Sequence, residues 1–190
     1  MSAVNPSDHP RRASAEELPR LADVLGSAFE NYPWTRWTVP GEDARRRLVE
    51  IQRRYLVHAH EHGGRIWTTP RLDAVAALVP ADLPAPPERT LRAIARLHGA
   101  GWSRIVDHET AAGASRPDAA WTLATVGVVP ARHGRGVGMS LLRAALADVG
   151  EGRVALETSS PANVRLYERL GFAVVDHVRG PGPDVWVMLR

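Results

Sequence analysis

The segment His133-Gly134-Arg135-Gly136-Val137-Gly138 sets three alternating glycines between a strand-like run, Trp121–Val128, and an amphipathic run, Val137–Val149. No other feature of the chain restricts its fold as much. Glycine inside a helix costs about 1 kcal/mol relative to alanine, so glycines clustered at a helix start indicate a backbone that must stay bare. Without Cβ atoms a ligand can approach the main chain, and successive N–H groups there form an anion site. A phosphate or pyrophosphate is the natural guest, with Arg135 adding fixed positive charge at the rim.

Composition narrows the choice of guest. All 24 Lys+Arg residues are arginine, so neither a phosphate loop with its lysine nor a pyridoxal-phosphate Schiff base is available. Cysteine is absent, which removes thiol nucleophiles, disulfides and cysteine-ligated metals. A dinucleotide fingerprint is a serious competitor, because Glu157 ends the next strand about 20 residues on, where a ribose-binding acid would stand. Two details oppose it. The fingerprint's third glycine would fall at Met139, and Val129–His133 separate the strand from the first glycine where that turn is tight. A ligand-free turn and a pyrophosphate loop for coenzyme A are the remaining readings.

The flanking pattern shows alternating elements. Ser14 and Glu17 form a capping box ahead of a helix over 15–29, and Pro33 breaks it. Tyr32–Trp37 reads as an aromatic-rich loop and 42–60 as a second helix. Strands are expected at Arg65–Thr69 and Ala74–Val79, a Pro-rich linker at PADLPAPPER, helices at Arg89–Gly99 and Trp102–Glu109, and a loop at Gly113–Asp118. After the glycine loop and its helix come a strand at Val154–Thr158, a helix at Asn163–Leu170, and strands at Phe172–Val178 and Val185–Leu189. This alternation implies an α/β sheet with helices on its faces. Residues 1–12 are expected to be flexible and 13–190 to form a single domain.

The stretch Val128-Val129-Pro130-Ala131-Arg132-His133-Gly134-Arg135-Gly136-Val137-Gly138, followed by Leu141-Leu142, resembles the acetyl-CoA loop of the GNAT N-acetyltransferases. Asn163-Val164-Arg165-Leu166-Tyr167-Glu168-Arg169-Leu170-Gly171-Phe172 is similar to that family's N-x-x-x-Y-x-x-x-G-F signature. His133 stands where the family usually has Gln or Arg. Within the family, AWTLATVGV, LETSSP and YERLGF are most similar to the branch that acetylates the aminonucleoside puromycin. The resemblance implies a mixed α/β (α+β) GNAT-like fold, a central twisted and mostly antiparallel sheet flanked by helices, with acetyl-CoA as co-substrate.

It also implies roles. Backbone near Val126, Gly127 and Val128 would pair with pantetheine and polarise the thioester oxygen. His133, Gly134, Arg135, Gly136, Val137, Gly138 and Met139 would hold the pyrophosphate, and Asn163 the cofactor arm. Tyr167 would protonate the departing thiolate as general acid. The strand Trp121–Val128 holds no carboxylate to act as base. Glu157 is the substitute, expected to be buried with a raised pKa or else paired with Arg153; Glu30 or a water relay stands in reserve. Tyr32, Trp34 and Trp37 either line an acceptor pocket for a flat, amine-bearing molecule or staple the first helices to the sheet.

His58-Ala59-His60-Glu61-His62 matches H-x-x-E-H, but at a fraying helix end it reads as solvated histidines, and no metal is expected. Arg45-Arg46-Arg47 with Arg53-Arg54 is interleaved with acids and reads as an exposed helix face. The pI near 10.1 reflects arginine without lysine; the formal net charge of +3 argues against a nucleic-acid partner. No run approaches a membrane span, and the start lacks a signal peptide's apolar core, so a cytoplasmic location is expected. The expected partner is a small-molecule primary amine, and the protein a monomer or homodimer. Acetylation of a peptide N-terminus and a non-catalytic nucleotide-binding module are the alternatives.

Overall fold

The computed structural model describes residues 9–112 and 117–190. Seven strands form one sheet in the order β1-β2-β3-β4-β5-β7-β6. They are β1 (Arg11–Arg12), β2 (Arg65–Thr68), β3 (Ala74–Pro80), β4 (Trp121–Val128), β5 (Val154–Thr158), β6 (Ala173–Val178) and β7 (Val185–Leu189). Every neighbouring pair is antiparallel except β4 and β5, which run parallel. A parallel neighbour needs a crossover, and helix α6 (Val137–Asp148), which follows the glycine loop, supplies it. The architecture is therefore the expected mixed α/β sheet, mostly antiparallel and flanked by helices.

Helices cover both faces. On one face, α1 (Leu18–Phe29) and α3 (Ala44–Glu61) lie over β2–β4. Leu18, Leu21, Leu25 and Leu56 are fully buried there beside Val75 and Ala77. Each such side chain contributes about 1.5–3 kcal/mol of transfer free energy. On the other face, α6 and α7 (Pro161–Glu168) bury Leu141, Leu142, Leu146 and Tyr167 against Leu78, Leu156 and Met188. α4 (Glu88–His98) and α5 (Trp102–Ala112) pack beside α3 and close the cavity described below.

Two expectations are corrected. Tyr32–Trp37 is not a loop: Pro33 ends α1 and also opens a short helix, α2 (Pro33–Thr38). Tyr32 is extended at ψ 134°, and a proline at the first helical position needs no N–H partner, so the same residue stops one helix and starts the next. The predicted flexible N-terminus ends too late, because Arg11 and Arg12 pair with Thr68 and Trp67, and Ala13 N–H donates to the Ile66 carbonyl. The remainder of that expectation, residues 1–8, and most of the loop predicted at Gly113–Asp118 lie outside the described residues. Helix α7 begins two residues before its predicted start, again on a proline, Pro161.

α2 is held mainly through its backbone. His98 Nδ1–H donates to the Thr38 carbonyl at 2.9 Å, and Arg104 donates to the Trp37 carbonyl. A Cβ at Gly101 would overlap the same Thr38 carbonyl. Burial pushes the His98 imidazole below its ordinary value, the Thr38 hydrogen bond opposes this, and Arg47 adds to the lowering. A histidine with a depressed folded pKa binds fewer protons folded than unfolded. Its contribution is present above the unfolded value, near 6.5, and is lost as pH falls through it.

We expect Gly101→Ala to destabilise the fold by about 1–3 kcal/mol, a fall in Tm of several degrees in a melt of the purified protein. In melts across pH 5–8, the wild type should lose Tm on acidification, and His98→Gln should flatten that slope.

Candidate functional site

β4 and β5 pair only at Trp121↔Val154 and Thr122↔Ala155. Beyond these positions the strands part. β3 keeps the other edge of β4 as far as Val128, with a register break: Leu78 faces Leu123 and Ala77 faces Thr125, so Ala124 is a bulge. From Leu123 to Val128 the β5-facing edge of β4 has no strand partner among the described residues. A cavity of about 460 Å³ opens into this splay, lined by Leu123–Val126 of β4 and Glu157–Ser159 of β5.

The glycine loop sits at the end of the same strand. Gly134 and Gly136 have φ of +72° and +77°, left-handed conformations that side chains rarely adopt, and Gly136 is the N-cap of α6. No side chain caps this helix. The N–H groups of Val137, Gly138 and Met139, in its first turn, lack intrahelical partners, as at any helix start. Gly138 is pressed against Val128, whose Cγ2 would be 3.3 Å from an added Cβ. His133 folds back and its Nε2–H donates to the Val128 carbonyl at 2.9 Å, while Arg135 stays exposed at the rim. Bare amides, a positive helix end and a free strand edge suit a pyrophosphate joined to an extended pantetheine arm.

Tyr167 reaches the cavity from α7, and Asn163 lines it one turn earlier. The Tyr167 ring packs edge-on against Phe172, and its hydroxyl makes no hydrogen bond among the described residues. Burial raises its pKa, with Tyr32 adding to the rise, so the phenol keeps its proton well above neutrality. Two more hydroxyls on the cavity wall, those of Thr125 and Ser159, are buried without a hydrogen-bond partner. Unpaired buried hydroxyls cost about 1–3 kcal/mol each, an energy a polar ligand can recover.

Glu157 is not the buried carboxylate expected of it. Its side chain is 33% exposed, and it pairs with His108 Nε2 at 3.3 Å instead of with Arg153. The alternation of β5 explains both facts. Leu156 packs into the core with Leu141 and Leu142, so Glu157, the next residue, turns to the opened cleft, where α5 brings His108. Arg153 lies nearest Asp118, and Glu30 stands outside the cavity near Arg45. His108 has a side chain only 8% exposed and meets the Trp34 ring edge-on at 4.5 Å.

Tyr32 and Trp34 line the cavity. The Tyr32 hydroxyl accepts from Ser159 N–H at 2.7 Å and lies 2.9 Å from Thr158 Oγ1, so it ties the aromatic wall to β5. Trp37 stands behind the wall. It packs on Trp34 at 5.2 Å and under Arg104, and a Cβ at Gly182 would strike its ring, so the β6–β7 loop rests on it. Of the three aromatics read from the sequence, two face the cavity and the third buttresses them.

The fold as a whole has counterparts in known structures. Residues 94–174 match the family model described as an acetyltransferase (GNAT) domain. A histone acetyltransferase HPA2-related acetyltransferase from Corynebacterium glutamicum superposes with a TM-score of 0.73 at 24% identity, over 96% of this chain and 95% of its own. The polyamine N-acetyltransferase of Drosophila melanogaster, which forms N-acetylagmatine, gives 0.64 at 21% identity over 95% and 98%. The PaiA N-acetyltransferase of Thermoplasma acidophilum, solved with coenzyme A, gives 0.59 at 15% over 95% and 96%.

The chain has the GNAT acetyltransferase fold. The family model and these structures agree on the fold. Other motifs of the sequence lie elsewhere in this GNAT structure. His58 is buried, not solvated, with Nε2 on the Pro84 carbonyl at 2.7 Å, which ties the Pro-rich linker to α3; His62 Nδ1 caps the His58 carbonyl. On α3, Arg46 pairs with Asp43 and both Arg53 and Arg54 pair with Glu50, while Arg45 reaches Ser27 and Glu30 and Arg47 donates to the carbonyls of Pro40 and Leu97. His108, Thr125 and Ser159 escaped the sequence reading. Thr125 follows the bulge at Ala124, Ser159 lies one residue past β5, and nothing local marks a histidine on α5.

Tyr32→Phe should strand the Ser159 N–H and lower stability by about 1–3 kcal/mol, read as a Tm loss with little change in circular dichroism. Gly136→Val should weaken acetyl-CoA binding at least tenfold in calorimetry, since it forces a β-branched residue into a left-handed backbone at the mouth of the anion site.

Proposed function

We propose that the protein transfers the acetyl group of acetyl-CoA to the primary amine of a small molecule, directly and within a ternary complex. One observation carries the reading: a single cavity joins the free edge of β4 to Tyr167, Asn163 and Glu157. Acetyl-CoA supplies the thioester. On this reading the β4 edge at Val126–Val128 pairs with the pantetheine, and a nearby amide donates to the thioester oxygen. The amides from Gly134 to Met139, with Arg135, take the pyrophosphate, and His133 and Val137 keep the loop in shape. Asn163 holds the arm of the cofactor. Tyr167, kept neutral by burial, has the proton the sulfur needs.

The acceptor enters from the α2 side. The wall there is apolar and aromatic at Phe29, Tyr32 and Trp34, with Glu157 and Glu109 providing negative charge for an amine. Such a lining suits an amine carried on a flat ring system, and an aminonucleoside such as puromycin is the acceptor to try first. The likeness to a polyamine acetyltransferase supports a small amine more broadly. Under this reading the protein serves in antibiotic resistance or detoxification in the cytoplasm, as a monomer or homodimer.

The test is a thiol-release screen with acetyl-CoA over aminonucleosides, arylalkylamines, polyamines and peptides. Release with small amines is the expected result. Turnover only on peptides would shift the assignment to an N-terminal acetyltransferase, and tight acetyl-CoA binding without turnover would favour a regulatory module. Tyr167→Phe should leave the Kd for acetyl-CoA within about twofold and lower kcat by about 10²–10⁴.

A further inference from the structure

His108 and Glu157 both line the cavity and pair within it. α5 carries His108 across from the sheet, its side chain is 92% removed from solvent, and Nε2 meets Glu157 Oε2 at 3.3 Å. Trp34 fixes the ring from the side at 4.5 Å. A carboxylate accepts hydrogen bonds, so neutral His108 places its hydrogen on Nε2, toward Glu157, and its lone pair on Nδ1. Nδ1 makes no hydrogen bond among the described residues. A histidine whose one nitrogen is held by an acid, and whose other carries a lone pair beside the acceptor cavity, has the arrangement of a general base with its orienting group.

We propose that His108 is the catalytic base, accepting through Nδ1 the proton that the acceptor amine loses, with Glu157 as its positioning residue. This rests on the transfer reading above and revises its sequence-based assignment of Glu157 as base. The amine nitrogen forms the new bond to the acetyl carbon as the carbon–sulfur pair returns to sulfur. Sulfur takes the Tyr167 proton, and the nitrogen passes its surplus proton to His108. Solvent then removes a proton from the imidazolium and returns one to the tyrosinate, so the sum is amide plus free thiol.

Other ionisable groups around the cavity are placed differently. His98 and His58 each hold a backbone carbonyl, those of Thr38 and Pro84. Tyr55 on α3 is raised by burial and then by Glu109, and Tyr167 by burial. Tyr32 is engaged by Thr158 and Ser159, while Glu109 follows His108 on α5 and also lines the cavity. His108 both lines the cavity and meets the carboxylate of Glu157.

The test combines kinetics and spectroscopy on the full chain, with the best amine from the screen. His108→Gln should lower kcat/KM by about 10²–10³ and abolish its acid limb, with acetyl-CoA affinity unchanged. Glu157→Gln should cut kcat less than His108→Gln and keep an acid limb. Long-range proton–nitrogen NMR of the free protein, with His108 assigned by its loss in the variant, should show the Nε2–H tautomer, and Glu157→Ala should mix the tautomers. An acid limb that survives His108→Gln and vanishes in Glu157→Gln overturns the proposal in favour of direct proton transfer to Glu157. An Nδ1–H tautomer overturns it too. A wild type that releases no thiol with any amine overturns the transfer reading itself.

Discussion

The site depends on a hydrogen-bond ladder that stops early. β4 and β5 share two register positions and then diverge, leaving β4 bonded on one side only. Such an edge in the middle of a sheet is unsatisfied backbone, and an extended ligand is its natural complement. The bulge at Ala124 adds to this by turning the strand and switching which residues face the cleft. Thr125 and Gly127 come to the α1 side, where Gly127 lets α1 approach so closely that an added Cβ would lie 2.8 Å from Leu25. The cavity, the anion site and the acceptor wall are all arranged around that one gap.

The groups of the proposed reaction come from the two sides of the sheet. Tyr167 comes from α7, within the core that α6 and α7 build, and its burial keeps it protonated. Glu157 and His108 meet on the opposite side, where Glu157 retains solvent access. Environment separates the groups: burial desolvates the Tyr167 hydroxyl and makes it a reluctant acid, whereas Glu157 lies partly exposed beside the His108 imidazole.

The carboxy-terminal half was legible because its signals are local. Glycine spacing, strand alternation and the Asn163–Phe172 pattern each report on their own neighbourhood, and β4, β5 and β7 fall on their predicted residues. The amino-terminal half was less so. Pro33 reads equally as a stop and as a start, and only the extended Tyr32 before it decides. β1 exists because β2 offers an edge, which no property of Arg11 and Arg12 announces. Glu157 was found as a residue but misplaced as buried, since the sequence cannot reveal that its strand has lost a neighbour. His108 depends on the packing of α5 against α2, a contact between elements.

α2 is gripped by its main chain, through the carbonyls of Trp37 and Thr38, while Trp34 projects into the cavity. Backbone anchors do not depend on which side chain they carry. The cavity wall can therefore change by exchange at Trp34 without removing the contacts that hold α2. On the proposed reading, substrate range and catalytic geometry are separable in this chain, which would let one framework be retuned to new amines by few substitutions.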